Sequence, residues 1–303
     1  MGTILVLGAN GFIGSSLVSR LLKEHQVIGY DAPHTKALFD CDNYHHIAGD
    51  YCNEPDFSGI LRRYGVTAIY HLICTTTPKE GTAHIESEIE QNVLPTIRLL
   101  NAAVACRVER VIFPSSGGTV YGEGEWGRGH RESETLNPIC SYGVQKMTVE
   151  GYLRLYHHMH GLRTIVARIA NPYGHCAQLG RTQGIIPILM RKLIAGEAID
   201  LYGETERDYL YIDDAVRALV SLLDYQGSET LFNIGSGKGV SLHELVSRIE
   251  SVVGRRFAAV NQKEIRLCDV YSNVLDISKA ERELGWRPEV LLDEGIQKTY
   301  FAM

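Results

Sequence analysis

Short apolar runs and amphipathic stretches alternate along the first 170 residues. Residues 3–7 are almost wholly apolar and predict a buried strand. Residues 12–23 place Ile13, Leu17, Leu21 and Leu22 at helical spacing. Residues 26–30 predict a second strand ending at Asp31, and 32–46 are polar and irregular. Further strands are expected at 44–48, 68–73, 108–114 and 163–169, with helices at 55–64, 85–106 and 144–160. Strand and helix in alternation predict an α/β fold, a doubly wound parallel sheet of the Rossmann type.

Beyond residue 170 the texture changes. Residues 171–183 are rich in Gly, Pro and polar side chains and read as a loop. Helices are expected at 185–195, at 213–223 with Asp213 as N-cap, at 241–253 and at 278–284. Ser241 and Glu244 stand at capping-box spacing. With no repeat and no linker, the C-terminal part reads as a smaller, mainly helical lobe packed on the sheet. The expected division is 1–170 for a nucleotide-binding domain, to which the chain returns around 208–225, and 171–303 for a substrate lobe.

The 303 residues carry a formal net charge of −6, which argues against non-specific nucleic-acid binding. Seven cysteines, odd in number and without a Cys-x-x-Cys pair, predict free thiols in a reducing, cytoplasmic setting. No basic segment precedes the 3–7 run, and no apolar stretch nears the ~20 residues a membrane span needs, so no membrane role is expected.

Two motifs carry chemistry. Gly8-Ala9-Asn10-Gly11-Phe12-Ile13-Gly14 joins the first strand to the first helix. Gly8 permits the tight turn, Gly11 lets a pyrophosphate approach the backbone, and Gly14 lets helix and strand pack closely. The helix N-terminus adds free N–H groups and partial positive charge. Asp31, 17 residues beyond Gly14, can accept both hydroxyls of an adenosine ribose and repel a 2′-phosphate, which favours NAD over NADP. Asp50, after another strand, could accept from an adenine amino group. The second motif is Tyr142-Gly-Val-Gln-Lys146, with tyrosine and lysine on one helix face. The Lys146 ammonium could hold Tyr142 as a phenolate, a base for a sugar hydroxyl. His157, His158 and His160 read as a polar helix end with no metal, and the run 86–90, with three glutamates, as a solvated face.

These motifs, in order with His71-Leu72, Asn92-Val93, Val120-Tyr121-Gly122, Asn171-Pro172-Tyr173-Gly174, Arg207-Asp208-Tyr209 and Leu284-Gly285-Trp286, bring a family into view. Over nearly its whole length the chain resembles the NAD-dependent sugar epimerase/dehydratases, extended short-chain dehydrogenase/reductases, above all their nucleotide-sugar 4-epimerases. The resemblance implies a UDP-sugar substrate, bound NAD and a homodimer packed through helices near 85–106 and 144–160. It implies Tyr142 as base and Lys146 as ribose ligand, with further cofactor contacts from Phe12, Ile13, Tyr51, Leu72 and Asn92. Substrate contacts would come from Thr76, Asn171, Arg207 and Arg266.

The chain departs from the family at Gly117, where a catalytic Ser or Thr is usual; Ser116, and after it Thr119, are the nearest replacements. The 4,6-dehydratases place acids at the positions of Gly118 and Thr119, so epimerisation is the expected reaction. Another C4-oxidising enzyme, a 4-keto reductase or a non-catalytic dinucleotide-binding protein are the alternatives. Asn273 stands where epimerases restricted to plain hexoses often carry a tyrosine. With Gly117 it is expected to enlarge the sugar pocket enough for N-acetylhexosamines.

Overall fold

The structure, a computed structural model, describes residues 2–53, 56–76, 85–174 and 184–303. Pro55, Cys176 and most of the expected loop 171–183 lie outside the described residues.

Six strands arise in the first 170 residues: β1 (Thr3–Leu7), β2 (Gln26–Asp31), β3 (Tyr44–Ala48), β4 (Val66–His71), β5 (Arg110–Ser116) and β6 (Arg163–Ile169). Further along come β7 (Asn171–Tyr173), β8 (Ile199–Tyr202), β9 (Glu206–Tyr211), β10 (Leu231–Ile234), β11 (Gly239–Ser241), β12 (Val260–Lys263) and β13 (Ser272–Asn273). The first six and β10 form one seven-stranded parallel sheet, ordered β10-β6-β5-β4-β1-β2-β3.

The helices explain why the strands are apolar throughout. α1 (Phe12–Leu21) and, much later, α8 (Ile212–Asp224) cover one face; α2 (Phe57–Tyr64), α4 (Leu94–Ala105) and α6 (Ser141–His160) cover the other. Ile4 and Val6 of β1 enter the first core while Leu5 and Leu7 enter the second. A strand buried on both faces shows no period-2 alternation. Strand order reverses at β1, with β2 on one side and β4 on the other. That opens a crevice at the carboxyl ends of β1 and β4.

The expected helix 85–106 is not continuous. A short α3 (Ile85–Glu88) passes into a π-helical turn, Ile89–Val93, before α4. The face expected to pack in a homodimer exposes Ile85, Ile89 and Leu94 together with Val144, Leu155 and Met159 of α6.

The C-terminal lobe is less helical than its sequence suggests. A short α5 (Gly117–Val120) precedes α6, and α7 (Ile185–Ile194), α9 (Leu242–Val253), α10 (Ser278–Leu284) and α11 (Leu292–Phe301) follow. Around them stand a four-stranded mixed sheet built on β9 and the pair β8–β12. Residues 171–173, expected as loop, pair in parallel with β9. β12 is exposed along its whole length, so no hydrophobic period marks it.

α8 starts one residue before Asp213, with Tyr211 as N-cap, so Asp213 does not cap. Its neighbour Asp214 is buried in the first turn, where it accepts from Arg217 and from the Glu289 and Val290 N–H groups. Ser241 does cap α9, accepting from Glu244 N–H at 3.1 Å. The Glu244 carboxylate pairs with Arg248 instead of closing the box.

Candidate active site

The glycine turn is shaped by backbone contact. Gly8 has φ +84°, a region closed to most side chains. A Cβ on Gly14 would lie 2.0 Å from the Gly8 carbonyl oxygen, so only glycine lets α1 approach β1 this closely. Gly11 is the N-cap of α1 and no side chain caps its free N–H groups. Phe12 and Ile13 open the helix and pack against the core. Asp31 accepts from the Asn10 and Ala32 N–H groups, both at 2.8 Å, which fixes its carboxylate beside the turn. Asn10 Oδ1 is buried with no hydrogen-bond partner among the described residues. Uncapped N–H groups, a side-chain-free surface and a fixed carboxylate together fit a dinucleotide.

The next wall of the crevice follows β4. Leu72 N–H donates to the Leu7 carbonyl at 2.9 Å. The π turn aims Asn92 at the following loop, where its Oδ1 accepts from Thr75 N–H and its Nδ2 donates to Thr75 Oγ1, each at 2.9 Å. Beneath it, His71 Nε2 lies 2.8 Å from Thr96 Oγ1 and 2.9 Å from the Tyr51 hydroxyl. Burial, then the Lys146 charge, pushes His71 down to about 3, so it is neutral. Tyr51 is buried, and its hydroxyl also lies 3.1 Å from Thr96 Oγ1. Asp50 accepts from Cys52 N–H, Asn53 N–H and Asn53 Nδ2, bonds that hold its carboxyl below the usual range.

Tyr142 and Lys146 lie in the first two turns of α6. Lys146 is buried, its Nζ donates to the Pro114 carbonyl at 3.1 Å and sits 4.6 Å above the Phe113 ring centroid. The same ammonium is 5.7 Å from the Tyr142 ring centroid. Burial lowers the lysine from its ordinary value. Burial first, then the thiols of Cys74 and Cys140 and the Glu88 carboxyl, pushes Tyr142 well above a free phenol. This direction runs against the expected phenolate, since burial disfavours a charged phenol.

Glu88 corrects a second expectation. In the acidic run 86–90 it alone turns inward, 2 % exposed, and accepts from Ser141 Oγ at 3.2 Å. Burial raises its carboxyl. The change from α3 to the π turn begins at the next residue.

The end of β5 forms the wall facing α6. Ser116 is the N-cap of α5, and Thr119 Oγ1 is buried with no hydrogen-bond partner among the described residues. Gly117 does not leave a gap: a Cβ there would stand 2.6 Å from Leu275 Cδ1, so the leucine fills the space. Asn273 is fully buried and its Nδ2 donates to the Gly117 carbonyl at 3.1 Å. The expected enlargement is therefore not a pre-formed hole. Asn171 lies next to this wall, its Oδ1 3.5 Å from a Cβ built on Gly118, and its Nδ2 bonds the Asp208 carbonyl at 2.9 Å.

The two arginines behave differently. Arg207 spends donors on the Glu206, Val270 and Tyr271 carbonyls, holding the 270–271 segment. Arg266 stacks its guanidinium 3.8 Å from the Tyr202 ring centroid, and that guanidinium makes no hydrogen bond among the described residues, so it is free for an anion. Thr76 lies in the loop after β4, its carbonyl accepting from Cys74 Sγ at 3.5 Å, and its side chain bonds Glu88. The structure thus gathers Tyr142, Lys146, Ser116, Thr76 and Asn92 around β4, β5 and α6. Arg207 and Arg266 belong to the C-terminal lobe. Sequence reasoning missed Glu88, Leu275 and the ion pair of Glu150 with Arg168. Only Glu150 left a signal, its spacing of four from Lys146.

Residues 4–235 match the family model for the NAD dependent epimerase/dehydratase family, and the chain belongs to that family. It is 32% identical to a dTDP-4-dehydro-6-deoxyglucose reductase of Escherichia coli, covering 97% of this chain and 95% of the relative. It is 33% identical to a UDP-glucose 4-epimerase of Mycolicibacterium smegmatis, over 97% and 96% of the two chains. Among solved structures it is similar to a UDP-glucose 4-epimerase of Thermotoga maritima with UDP-glucose, at a TM-score of 0.91 and 30% identity, covering 99% of this chain and 98% of that one. The protein is thus a nucleotide-sugar-modifying enzyme of an NAD-dependent family. Among the described residues no helix is long and apolar enough to cross a membrane.

Proposed function

We propose that this protein is a nucleotide-sugar 4-epimerase acting on UDP-hexoses or UDP-N-acetylhexosamines. Support comes from one feature above all: the wall at the end of β5 offers the hydroxyls of Ser116 and Thr119 and no acid at 118 or 119. Elimination of water from a neighbouring carbon needs an acid there, whereas epimerisation needs only a reversible base. NAD held at the glycine turn would supply a reversible hydride acceptor for C4. Tyr142 takes the C4 hydroxyl proton, keeps it while the 4-keto sugar turns, and returns it. Lys146 would hold the nicotinamide ribose of NAD and, as a cation, would favour the phenolate. Arg266 holds the pyrophosphate about which the sugar turns, and Arg207 keeps its segment in place. Asn171 touches the substrate nucleotide.

The test is a panel of UDP-Glc, UDP-Gal, UDP-GlcNAc and UDP-GalNAc, with products separated by chromatography. Interconversion of C4 epimers without net NADH formation is expected, the acetylated pair alongside or above the plain one. The E. coli relative favours a second reading, 4-keto reduction. If no epimer forms and dTDP-4-dehydro-6-deoxyglucose is reduced with stoichiometric loss of NADH, that reading replaces ours. Asn273→Tyr in the same panel tests substrate width. Asn273 is fully buried and bonded to the Gly117 carbonyl, so a tyrosine ring there must displace its neighbours or enter the crevice. Acetylated sugars should then suffer far more than plain ones; equal loss on both pairs removes Asn273 from the gate.

The hydroxyl missing at Gly117 is replaced by Ser116 or Thr119. Ser116 adjoins Gly117, and Thr119 brings a hydroxyl with no hydrogen-bond partner among the described residues. At least one of Ser116→Ala and Thr119→Ala should lower kcat by about 100-fold, the scale of losing one hydrogen-bond donor to developing charge. Full activity in both variants would mean the enzyme works without that donor.

A further inference from the structure

One turn beyond Lys146 on the same face of α6 stands Glu150, buried and bound on two sides. It accepts from Ser115 Oγ of β5 at 2.5 Å. From β6, Arg168 donates Nε to both carboxylate oxygens at 3.2 Å and Nη2 to Oε2 at 2.6 Å. Arg168 is itself 4 % exposed and gives Nη1 to the Tyr121 hydroxyl at 2.9 Å. Lys146 grips the residue before Ser115, through the Pro114 carbonyl. Two consecutive turns of α6 therefore hold two consecutive residues at the end of β5, directly before Ser116 and Gly117.

We propose that Glu150 is a positioning residue for the catalytic pair, holding the end of β5 against α6 and balancing the buried charge of Lys146. The other groups around that ammonium are the Tyr142 phenol on its own helix, neutral His71 on β4, the Cys74 thiol in the following loop and the Phe113 ring, with the Arg168 cation of β6 behind the Glu150 carboxylate. Glu150 is the carboxylate among the groups that raise the Lys146 value, and burial works against it. A structural ion pair alone would tie α6 to β6 and leave the lysine indifferent to its loss.

The sign follows from charge. A nearby carboxylate favours the protonated ammonium, so its removal lets Lys146 lose its proton at lower pH. Glu150→Gln keeps an acceptor for Ser115 but leaves Arg168 buried without a counter-charge. The double variant Glu150→Gln, Arg168→Met removes both charges and carries the test alone if the single variant does not fold. Two measurements decide. The first follows the Lys146 Cε resonance in [ε-13C]lysine-labelled protein across pH, assigned with Lys146→Met. The second is the pH profile of kcat on a UDP-sugar, which rests on the epimerase reading.

The lysine midpoint should fall by about one pH unit in Glu150→Gln, and in the same direction but by less in the double variant, where the Arg168 charge is lost as well, and the alkaline limb of kcat should move down with it. A midpoint unmoved from wild type in both variants overturns the proposal. A moved midpoint in a protein that turns over no nucleotide sugar upholds it and overturns the epimerase reading instead.

Discussion

Tyr142→Phe is expected to lower turnover by about 100- to 10,000-fold, the scale on which loss of a general base is felt. The substitution removes one oxygen and leaves the ring that packs at the start of α6. Lys146 keeps its bond to the Pro114 carbonyl and its place over Phe113. Folding and NAD binding should therefore persist, and the loss should fall on kcat. Comparing kcat, KM and NAD affinity between the two proteins checks this. A variant that keeps more than about a tenth of the wild-type rate excludes Tyr142 as the base on that scale. The phenol begins from an unfavourable position, since burial and the Cys74, Cys140 and Glu88 groups raise it. Whatever lowers it must arrive with the ligands. NAD in its oxidised form adds positive charge, which acts in the required direction.

Gly14→Ala is the second large effect, and it acts on the cofactor. The added methyl would meet the Gly8 carbonyl oxygen at 2.0 Å and the Gly8 carbonyl carbon at 2.9 Å, atoms of the backbone that no rotamer change can move. Relief must come from α1 sliding off β1 or from the turn opening, and either deforms the surface that receives the pyrophosphate. Overpacking of this kind costs about 1–3 kcal/mol. If that cost falls on the bound geometry, NAD affinity drops by about 5- to 150-fold. Calorimetric titration with NAD measures it. Gly151→Ala is the control: it lies inside α6 with nothing within 4 Å of the new Cβ, so it should leave NAD affinity untouched. Equal NAD affinity in Gly14→Ala and wild type would show that the close approach at residue 14 does not shape the site.

Much of this was legible from the chain itself. The turn at Gly8–Gly14 and the face shared by Tyr142 and Lys146 depend on residues close in sequence, so local geometry specifies them. The parallel sheet was legible for a related reason. β1, β2, β4, β5 and β6 are buried on both faces, and runs without alternation are the mark of such strands. Asp31 could be read as a cofactor residue because it ends the strand beside the turn, and the Asn10 N–H bond now fixes it there.

The remainder was decided by contacts between residues far apart in the chain. Leu275 fills the space at Gly117 from 158 positions away, so a missing side chain that reads as added room in the sequence is no cavity in the fold. The small strands β11, β12 and β13 have 2–4 residues each, too few for a period, and exist because β8 and β9 offer partners. Glu88 reads as one carboxylate of a solvated run until the π turn follows it and α6 packs against it. The environment of Tyr142 could not be read from a lysine four residues away, because burial and the Cys74, Cys140 and Glu88 groups, which raise the phenol, come from the fold. Sequence by itself determined which groups stand on which face; tertiary packing determined how much water each keeps, and hence its charge.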